Sequence, residues 1–254
     1  MLAAGRFVFG DGTALTGAEP YRPHTFVWFH RDLRPEPERD WELPLLYRDD
    51  RIVVLDKPAH LATIPRGRHV TQSAVVLLRR QLSLPDLSPA HRLDRLTSGV
   101  LLFTVEQRWR RPYQQVFEQG AAYKLYEALA PIRPDLEFPR TVRSHIAKIR
   151  GELQARELAG KPANAETSID LVEARGRYGR YRLVPRTGRT HQLRVHLSAL
   201  GMPILGDPLY PAIADGDDDL SGDLQLVARQ LRFSDPVDGT PREFISERPL
   251  IWPS

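Results

Sequence analysis

HRLDRLTSGVLLF, residues 91–103, places one carboxylate between two arginines in a turn-rich stretch that an apolar strand follows at once. The carboxylate is Asp94, and its neighbours are Arg92 and Arg95. The ordinary interpretation is a surface salt bridge, since exposed ion pairs are common and contribute little to stability. Whether Asp94 has another purpose depends on the motifs around it.

The composition is that of a globular protein with a mildly basic surface. The chain has 254 residues, of which 41% are hydrophobic, and 36 basic against 32 acidic residues give a net charge of +4. No apolar run reaches the length of about 18 residues that spans a membrane, and the N-terminus lacks the pattern of a signal peptide. The absence of cysteine excludes disulfides and cysteine-ligated metal sites. These features predict a soluble, cytoplasmic protein.

Positive charge is concentrated in two stretches that also contain aromatic residues. Residues 175–196 contain seven arginines, two tyrosines and no acid, and residues 107–113 read QRWRRPY. Arginine binds phosphate oxygens through paired donors and aromatic rings stack on unpaired bases, so the pattern favours nucleic acid over a solvated basic face. The acidic stretch 214–223, ADGDDDLSGD, lacks the final glutamate of a calcium loop and predicts an exposed loop. We therefore expect no metal and no cofactor.

Hydrophobic periodicity predicts more strands than helices. Strands are expected at 52–55, 99–105, 123–130, 141–149, 167–174, 179–185, 225–233 and 242–246, and helices at 73–82, 112–119 and 190–200. Pro112 is expected at the first position of its helix. Because many strands are close neighbours along the chain, we predict an α+β fold with a mixed, largely antiparallel sheet and flanking helices.

The N-terminal residues predict a small module in front of the main domain. Residues 31–44 are rich in proline and charge and predict a linker. Residues 5–29 predict short β segments that are too few to bury a core alone. We therefore expect a small segment at 1–44 and the main, catalytic domain at 45–254.

Several standard chemistries have no motif here. The sequence contains no GxxxxGK[ST] phosphate loop, no GxGxxG and no HExxH zinc motif. His91, Asp94 and Ser98 lie too close in sequence for the geometry of a serine-hydrolase triad. Any chemistry must therefore come from ordinary side chains.

The motifs together resemble those of the RluA-type pseudouridine synthases. HRLDRLTSG at 91–99 is similar to the family signature HRLDxxTSG, and RTGRTHQLRVH at 186–196 to its GRTHQIRxH motif, with a GDxxY continuation at 206–210. YKLYEAL at 123–129, NAETSI at 164–169 and LQLVARQLRFSDP at 224–236 resemble shorter family segments in the same order. In the last of these, Val227 and Asp235 replace histidines that are usual in many members. The resemblance covers roughly residues 45 to 250.

The resemblance implies a pseudouridine synthase fold with a central RNA-binding cleft. Residues 5–30 resemble the closing hairpin of an S4-type RNA-binding domain without its helices, so either this module is reduced or Met1 lies inside a longer reading frame. No cofactor, membrane or obligate protein partner is implied.

The implied activity is that of an isomerase, which breaks the N1–C1′ bond of a uridine in ribosomal or transfer RNA and rejoins the uracil through C5. Asp94 falls on the catalytic aspartate, and Arg194 on the basic residue that pairs with it. Tyr126 falls on the tyrosine that packs on the target base and helps to remove the C5 proton. Arg92 matches the arginine that fills the gap left by an everted base.

Physical reasoning from the residues agrees with this chemistry. A single carboxylate beside a permanent cation suits a rearrangement that keeps its base, whereas paired carboxylates suggest a hydrolase. In the helix predicted at 190–200, a leucine stripe places Arg194 on a flank that faces a cleft and turns His191 outward. Basic residues in or near the motifs are predicted RNA contacts, namely Arg92, Arg95, Lys124, Arg177, Arg180, Arg189 and His191.

Each of these residues also has a structural interpretation. Without the family resemblance, Tyr126 would be interpreted as a tyrosine at the edge of the core. Arg194 would be interpreted as part of a salt bridge on the helix surface. Two functions remain open, an RNA pseudouridine synthase and a catalytically idle RNA-binding protein of the same fold. The presence of Asp94, Tyr126 and Arg194 favours the enzyme, and a glycoside hydrolase lacks a second acid.

Overall fold

The computed structural model describes residues 2–29, 36–37, 39–67, 69–213 and 223–253, and divides the chain into two compact units. The smaller unit, Met1–Pro37, contains a 3-10 helix, Leu2–Ala4, and two antiparallel strands, β1 (Phe7–Phe9) and β2 (Val27–Phe29). Most of the predicted acidic loop, 214–222, and residues 31–35 of the predicted linker lie outside the described residues.

The larger unit, Glu38–Ser254, is built around one mixed sheet. Its strands are β3 (Leu45–Arg48), β4 (Ile52–Lys57), β5 (Ser88–Pro89), β6 (Ser98–Thr104), β7 (Tyr123–Pro131), β8 (Arg140–Ser144), β9 (Ile146–Ala147), β10 (Arg156–Glu157), β11 (Ala165–Arg175), β12 (Tyr178–Pro185), β13 (Leu226–Ser234) and β14 (Pro241–Ile245). Its helices are α1 (Ala74–Leu82), α2 (Gln107–Glu118) and α3 (Gln192–Ala199).

The strand order across the sheet is β3-β4-β6-β13-β7-β12-β11-β8, with β5 beside β6 and β14 beside β13. The pair of β13 and β6 is parallel, and the other strand pairs of this sheet in the described part of the chain are antiparallel. Strands β9 and β10 form a separate two-stranded hairpin. The predicted α+β fold with a mixed, largely antiparallel sheet is confirmed.

The alternation of side chains along the strands determines which helix covers which face of the sheet. In β4, Val53 and Leu55 share a hydrophobic cluster with α1, whereas Ile52 and Val54 share another with α2. Helices α1 and α2 therefore lie on opposite faces. Tyr126 of β7 packs against the clusters of both α1 and α3, so these two helices and Tyr126 belong to the same face.

Three predicted elements differ from those observed. Helix α2 begins at Gln107, so the expectation that Pro112 starts it was wrong. Pro112 lies inside the helix, where one backbone hydrogen bond is missing because proline has no N–H. Helix α3 begins only at Gln192, because His191 has a left-handed backbone with φ of 56°. The strand expected at 141–149 is divided between β8 and β9.

Part of the predicted linker belongs to the larger unit. The side chains of Trp41 and Leu43 pack against the hydrophobic cluster of α1. The indole N–H of Trp41 also donates a hydrogen bond of 3.2 Å to the side-chain oxygen of Gln72. Apolar side chains within the charged stretch therefore hold it against the core, and the boundary between the two units falls at residues 37 and 38.

The two departures from the family pattern are both buried. Val227 lies in the parallel pair of β13 and β6, opposite Ser98. Asp235 accepts a hydrogen bond of 2.7 Å from the Tyr113 hydroxyl, and the guanidinium groups of Arg51 and Arg242 lie 3.4 and 3.1 Å from its carboxylate. Asp235 is therefore a buried carboxylate held by one tyrosine and two arginines, and not an exposed RNA contact.

Gly99 is required where β6 meets β13. Its φ is +110°, and a Cβ there would overlap the backbone carbonyl of Ala228. We expect Gly99→Ala to lower the free energy of unfolding by about 3 kcal/mol or more, since backbone strain and overpacking each cost about 1–3 kcal/mol. Denaturant unfolding monitors the loss, with Gly188→Ala as the control because its new methyl group would lie 4.0 Å from Nζ of Lys124, an ordinary van der Waals distance. Equal stability of both variants would contradict this assignment.

Candidate active site

Asp94 lies on a fixed loop immediately before the central strand β6. The backbone N–H of Thr97 donates a hydrogen bond of 3.1 Å to the Asp94 carbonyl. Next to Asp94, Leu93 is buried and exchanges hydrogen bonds with the Thr63 hydroxyl, which donates to the Leu93 carbonyl at 2.8 Å and accepts from its N–H at 3.2 Å. The Asp94 side chain is 35% exposed. The loop therefore presents this carboxylate at the protein surface from a rigid base.

Lys57, at the end of β4, supports the loop from inside and was not predicted as a site residue. Its side chain is fully buried, and its ammonium donates hydrogen bonds to the carbonyls of Pro58 and Leu61, both at 2.8 Å, and of Arg95, at 3.1 Å. Burial lowers the pKa of Lys57 to about 7, although the charge of Asp94 opposes this change. The signal available in the sequence was a lysine two residues after the apolar run 52–55.

Arg194 of α3 is the cation that faces Asp94. Its Nη1 lies 3.5 Å from Oδ2 of Asp94, at the limit of a hydrogen bond. Its Nε and Nη2 donate stronger hydrogen bonds, 2.8 and 2.7 Å long, to the two carboxylate oxygens of Asp207. Burial alone would lower the pKa of Arg194. The pKa is nevertheless raised above its usual value by the hydrogen bonds and charge of Asp207 and by the charge of Asp94.

Asp207 is the main partner of Arg194, and the sequence reasoning missed it. Its side chain is fully buried, and its Oδ1 also accepts hydrogen bonds from the backbone N–H groups of Leu209 and Tyr210. Asp207 follows Gly206 in the GDPLY stretch, which was read only as a continuation of the preceding motif. Its two-point contact holds the guanidinium in a fixed plane, so that Nη1 is left to point at Asp94.

Tyr126 is partly buried on the same face of the sheet. Burial and the negative charge of Asp94 both raise the pKa of Tyr126 above its usual value. The structure therefore brings Asp94, Tyr126 and Arg194 together, as the sequence motifs require, while their catalytic roles stay predictions.

His191 does not face outward, and that expectation was wrong. Its side chain is only 12% exposed, its Nε2 lies 3.9 Å from Oδ2 of Asp94, and its Nδ1 lies 2.9 Å from the Tyr210 hydroxyl. The left-handed backbone of His191 ends the helical arrangement on which the prediction depended. The residue is part of the carboxylate's surroundings.

Four other predicted RNA contacts lie near these residues, namely Lys124, Arg189, Arg92 and Arg95. Lys124 donates a long hydrogen bond of 3.4 Å to the Thr187 carbonyl, and burial lowers its pKa. Arg189 is exposed and donates to the Asn164 carbonyl at 3.1 Å. Arg92 is exposed in the Asp94 loop, and the Arg95 carbonyl is bound by Lys57.

The remaining predicted contacts, Arg177 and Arg180, are not brought to this site. Arg180 pairs with Leu129 in the sheet, whereas Leu183 pairs with Tyr126, so strand alternation puts Arg180 on the opposite face from Tyr126. Its guanidinium lies 3.5 Å from Glu127 and 3.1 Å from Glu173. Arg177 stacks over the Tyr178 ring at 5.0 Å in the turn before β12.

The second basic stretch, QRWRRPY, also carries acidic partners. Arg108, Arg110 and Arg111 of α2 form ion pairs with Glu106, Asp86 and Glu118. These pairs are exposed, and α2 covers the face of the sheet opposite Tyr126. Among the described residues, no group of three acidic or histidine side chains is arranged to hold a metal ion, and no helix is long and apolar enough to cross a membrane.

Comparisons with known proteins agree on one family. Residues 51–199 match the family model described as RNA pseudouridylate synthase, and this range contains Asp94, Tyr126 and Arg194. The dual-specificity RNA pseudouridine synthase RluA of Escherichia coli strain K12 is 34% identical over 220 residues, which cover 82% of this chain and 94% of that protein. Human pseudouridylate synthase RPUSD2 is 34% identical over 175 residues, or 68% of this chain.

The matched part is only 31% of the length of RPUSD2, so the chain spans less than a third of that relative. Among solved structures, human RNA pseudouridylate synthase domain containing 1 superimposes with a TM-score of 0.64 at 26% identity, covering 85% of this chain and 88% of that one. The family model matches more than half of this chain, and the alignment with RluA covers 94% of that protein. The chain belongs to the RluA-type RNA pseudouridine synthase family.

Proposed function

We propose that this protein is an RNA pseudouridine synthase that isomerises uridine in ribosomal or transfer RNA of the cytoplasm, with Asp94 as the catalytic carboxylate. One observation carries the proposal: a partly exposed carboxylate faces a buried arginine that a second, fully buried carboxylate holds in place. The guanidinium of Arg194 places a positive charge 3.5 Å from the Asp94 carboxylate.

The contacts of Asp94 distinguish its two oxygens. Arg194 and His191 both approach Oδ2, and no hydrogen bond or ion pair from the described residues reaches Oδ1. Oδ1 is therefore the oxygen left to act at C1′ or C2′ of the ribose. The N1–C1′ bond breaks as uracil leaves with the bonding electrons, and C5 then forms the new bond to C1′.

Asp207 does not supply the second acid of a hydrolase. Both of its oxygens accept hydrogen bonds from Arg194, and its side chain is closed to solvent. A glycoside hydrolase needs a second carboxyl group that reaches the glycosidic bond or its attacking water. The geometry therefore favours the rearrangement, which keeps its base, over hydrolysis.

Tyr126 is best suited to receive the everted base. Its raised pKa keeps the phenol protonated at neutral pH, so the side chain offers a flat face for stacking and a donor rather than a base. Arg92 is proposed to fill the gap that the everted base leaves, because it is exposed beside Asp94. Lys124 and Arg189 are proposed to contact the RNA backbone.

The alternative is an RNA-binding protein of the same fold without catalysis. It offers no reason for the buried pair of Arg194 and Asp207 to be directed at Asp94. Mapping pseudouridine at single-nucleotide resolution in total RNA, with and without the purified protein, decides between the two functions. We expect new pseudouridines at defined positions, and RNA binding without any new pseudouridine would refute the enzyme.

Salt dependence tests which arginines hold the RNA backbone. Affinity falls as salt rises, and each lost phosphate contact is expected to make the slope of log affinity against log salt shallower by about 0.7–0.9. We expect this loss per residue when Arg92 and Arg189 are changed to Gln. Changing Arg177 and Arg180 together should make the slope shallower by a smaller amount, because Arg180 is already paired with Glu127 and Glu173.

Binding titrations at several salt concentrations measure both slopes. The two double variants remove the same formal charge, so each is the control for the other. An unchanged slope in the Arg177 and Arg180 variant would show that these residues are solvated surface, and an unchanged slope in the other would remove Arg92 and Arg189 from the interface.

A further inference from the structure

His191 has a nitrogen directed at the proposed site that the mechanism above does not use. Its Nε2 lies 3.9 Å from Oδ2 of Asp94, which is too long for a direct hydrogen bond but places the nitrogen beside the carboxylate. The other nitrogen, Nδ1, lies 2.9 Å from the hydroxyl of Tyr210. What His191 can do depends on which nitrogen carries the proton.

A count of hydrogens at Tyr210 assigns that proton. The Tyr210 hydroxyl has one hydrogen, which it donates to the carbonyl of buried Ala155 at 3.0 Å, and its oxygen accepts the Ala155 N–H at 2.7 Å. A hydrogen bond donated by Nδ1 of the imidazole gives every group at this hydroxyl a partner, so we assign the proton to Nδ1. With this assignment the lone pair of neutral His191 lies on Nε2, which accepts no hydrogen bond from the described residues.

Burial of the ring favours this neutral form. Burial lowers the pKa of His191 below its usual value, the charge of Asp94 opposes this, and the positive charges of Arg194 and Lys148 add to the lowering, while Asp207 opposes it. The ring also meets the edge of Tyr210 at 5.8 Å. His191 is consequently an unprotonated imidazole at neutral pH, which can accept a proton.

Other groups around Asp94 are poorly suited to accept a proton from carbon. Tyr126 is held as a neutral phenol by its raised pKa. The nitrogen of Lys57 is fully buried and is held by three backbone carbonyls, so a nucleobase that enters from the surface cannot reach it. Arg194 stays protonated. Apart from Asp94 itself, His191 is the base in this part of the described structure that has a free lone pair.

We infer that His191 is a further catalytic residue, the base that removes the proton from C5 of the uracil after C5 has joined C1′. This inference rests on the proposed function. When the C5–C1′ bond forms, C5 carries both its hydrogen and the sugar, and N1 is joined to C6 by a double bond. Nε2 takes the C5 proton, the electrons of the C–H bond restore the C5–C6 double bond, and N1 gains a proton from the imidazolium or from water. No proton is gained or lost overall.

The test uses His191→Asn in the full-length protein with an RNA substrate. Asn tolerates the left-handed backbone, and its amide N–H can still donate to Tyr210, but it has no nitrogen at the position of Nε2. Ser83→Asn is the control, because Ser83 is exposed after α1 and has a left-handed φ of 57°. The rates of pseudouridine formation are compared for uridine carrying hydrogen or deuterium at C5, across the pH range in which histidine titrates.

We expect His191→Asn to slow pseudouridine formation by about 10²-fold or more, as for loss of a general base. Proton removal then limits the rate, so the deuterated substrate should react more slowly in the variant by a larger ratio than in the wild type. The wild-type rate should fall as the pH drops through the pKa of His191, because the lone pair becomes protonated, and this acidic limb should disappear in the variant. Ser83→Asn should behave as the wild type.

The outcomes separate this inference from the proposed function. If the wild type forms no pseudouridine, both fail. If the wild type is active and His191→Asn keeps its isotope ratio and its acidic limb, the proposed function stands and His191 is not the base, even if the rate is lower. Nitrogen NMR of the free wild-type protein gives a separate check, because a proton found on Nε2 of neutral His191 would also overturn the inference.

Discussion

Asp94→Asn is expected to abolish pseudouridine formation while RNA affinity stays within about fivefold of the wild type. The substitution keeps the size of the side chain and most of its hydrogen bonding but removes the anion that acts on the ribose. Affinity should change little because an exposed charge contributes no more than about 1 kcal/mol, and the Asp94 side chain is 35% exposed. Loss of a negative charge near phosphates can even tighten binding.

Tritium release from C5-labelled uridine in RNA measures turnover, and a filter-binding titration measures affinity. Asp86→Asn is the matched control, because Asp86 is an exposed aspartate paired with Arg110 in the same unit. Release from the Asp94 variant at a rate near that of the wild type would remove Asp94 from the chemistry. A parallel loss of affinity and turnover would instead indicate that the loop itself had been disrupted.

The motifs in the sequence identified the residues near Asp94, and hydrophobic periodicity identified most of the strands that surround them. The motif around Asp94 is followed by an apolar run, so a loop before a buried strand was predictable, and β6 begins one residue before its expected start. The apolar alternation in β7 correctly indicated a strand at Tyr126. In contrast, the span of α2 was misjudged because Pro112 was taken as a starting residue, although a helix can contain an internal proline.

Contacts that depend on the tertiary fold were not predictable from spacing. Arg194 and Asp207 are separated by 13 residues and by the end of α3, and nothing in their spacing indicates a two-point pair. The orientation of His191 depends on one left-handed residue, which helical periodicity cannot show. Likewise, Arg180 looked like a phosphate contact because the nearby acids Glu127 and Glu173 come from other positions in the sheet.

Arg194→Met is expected to cost roughly 3–5 kcal/mol of unfolding free energy, because it leaves a buried charge without its partner. The orphaned charge is that of Asp207, whose side chain is fully buried, rather than that of Asp94, which water can reach. The size of the loss alone does not identify which carboxylate depends on Arg194. Two double variants do so.

Adding Asp207→Asn to Arg194→Met should restore much of the lost stability, since the Asn oxygen can still accept from the N–H groups of Leu209 and Tyr210 while the charge is gone. Adding Asp94→Asn should restore little. Thermal melts of the single and double variants measure this, with Arg111→Met as the control because its exposed pair with Glu118 should contribute less than about 1 kcal/mol. Equal rescue by both second substitutions would show that Asp207 is not the main partner, and a loss as small as that of Arg111→Met would place Arg194 outside any buried pair.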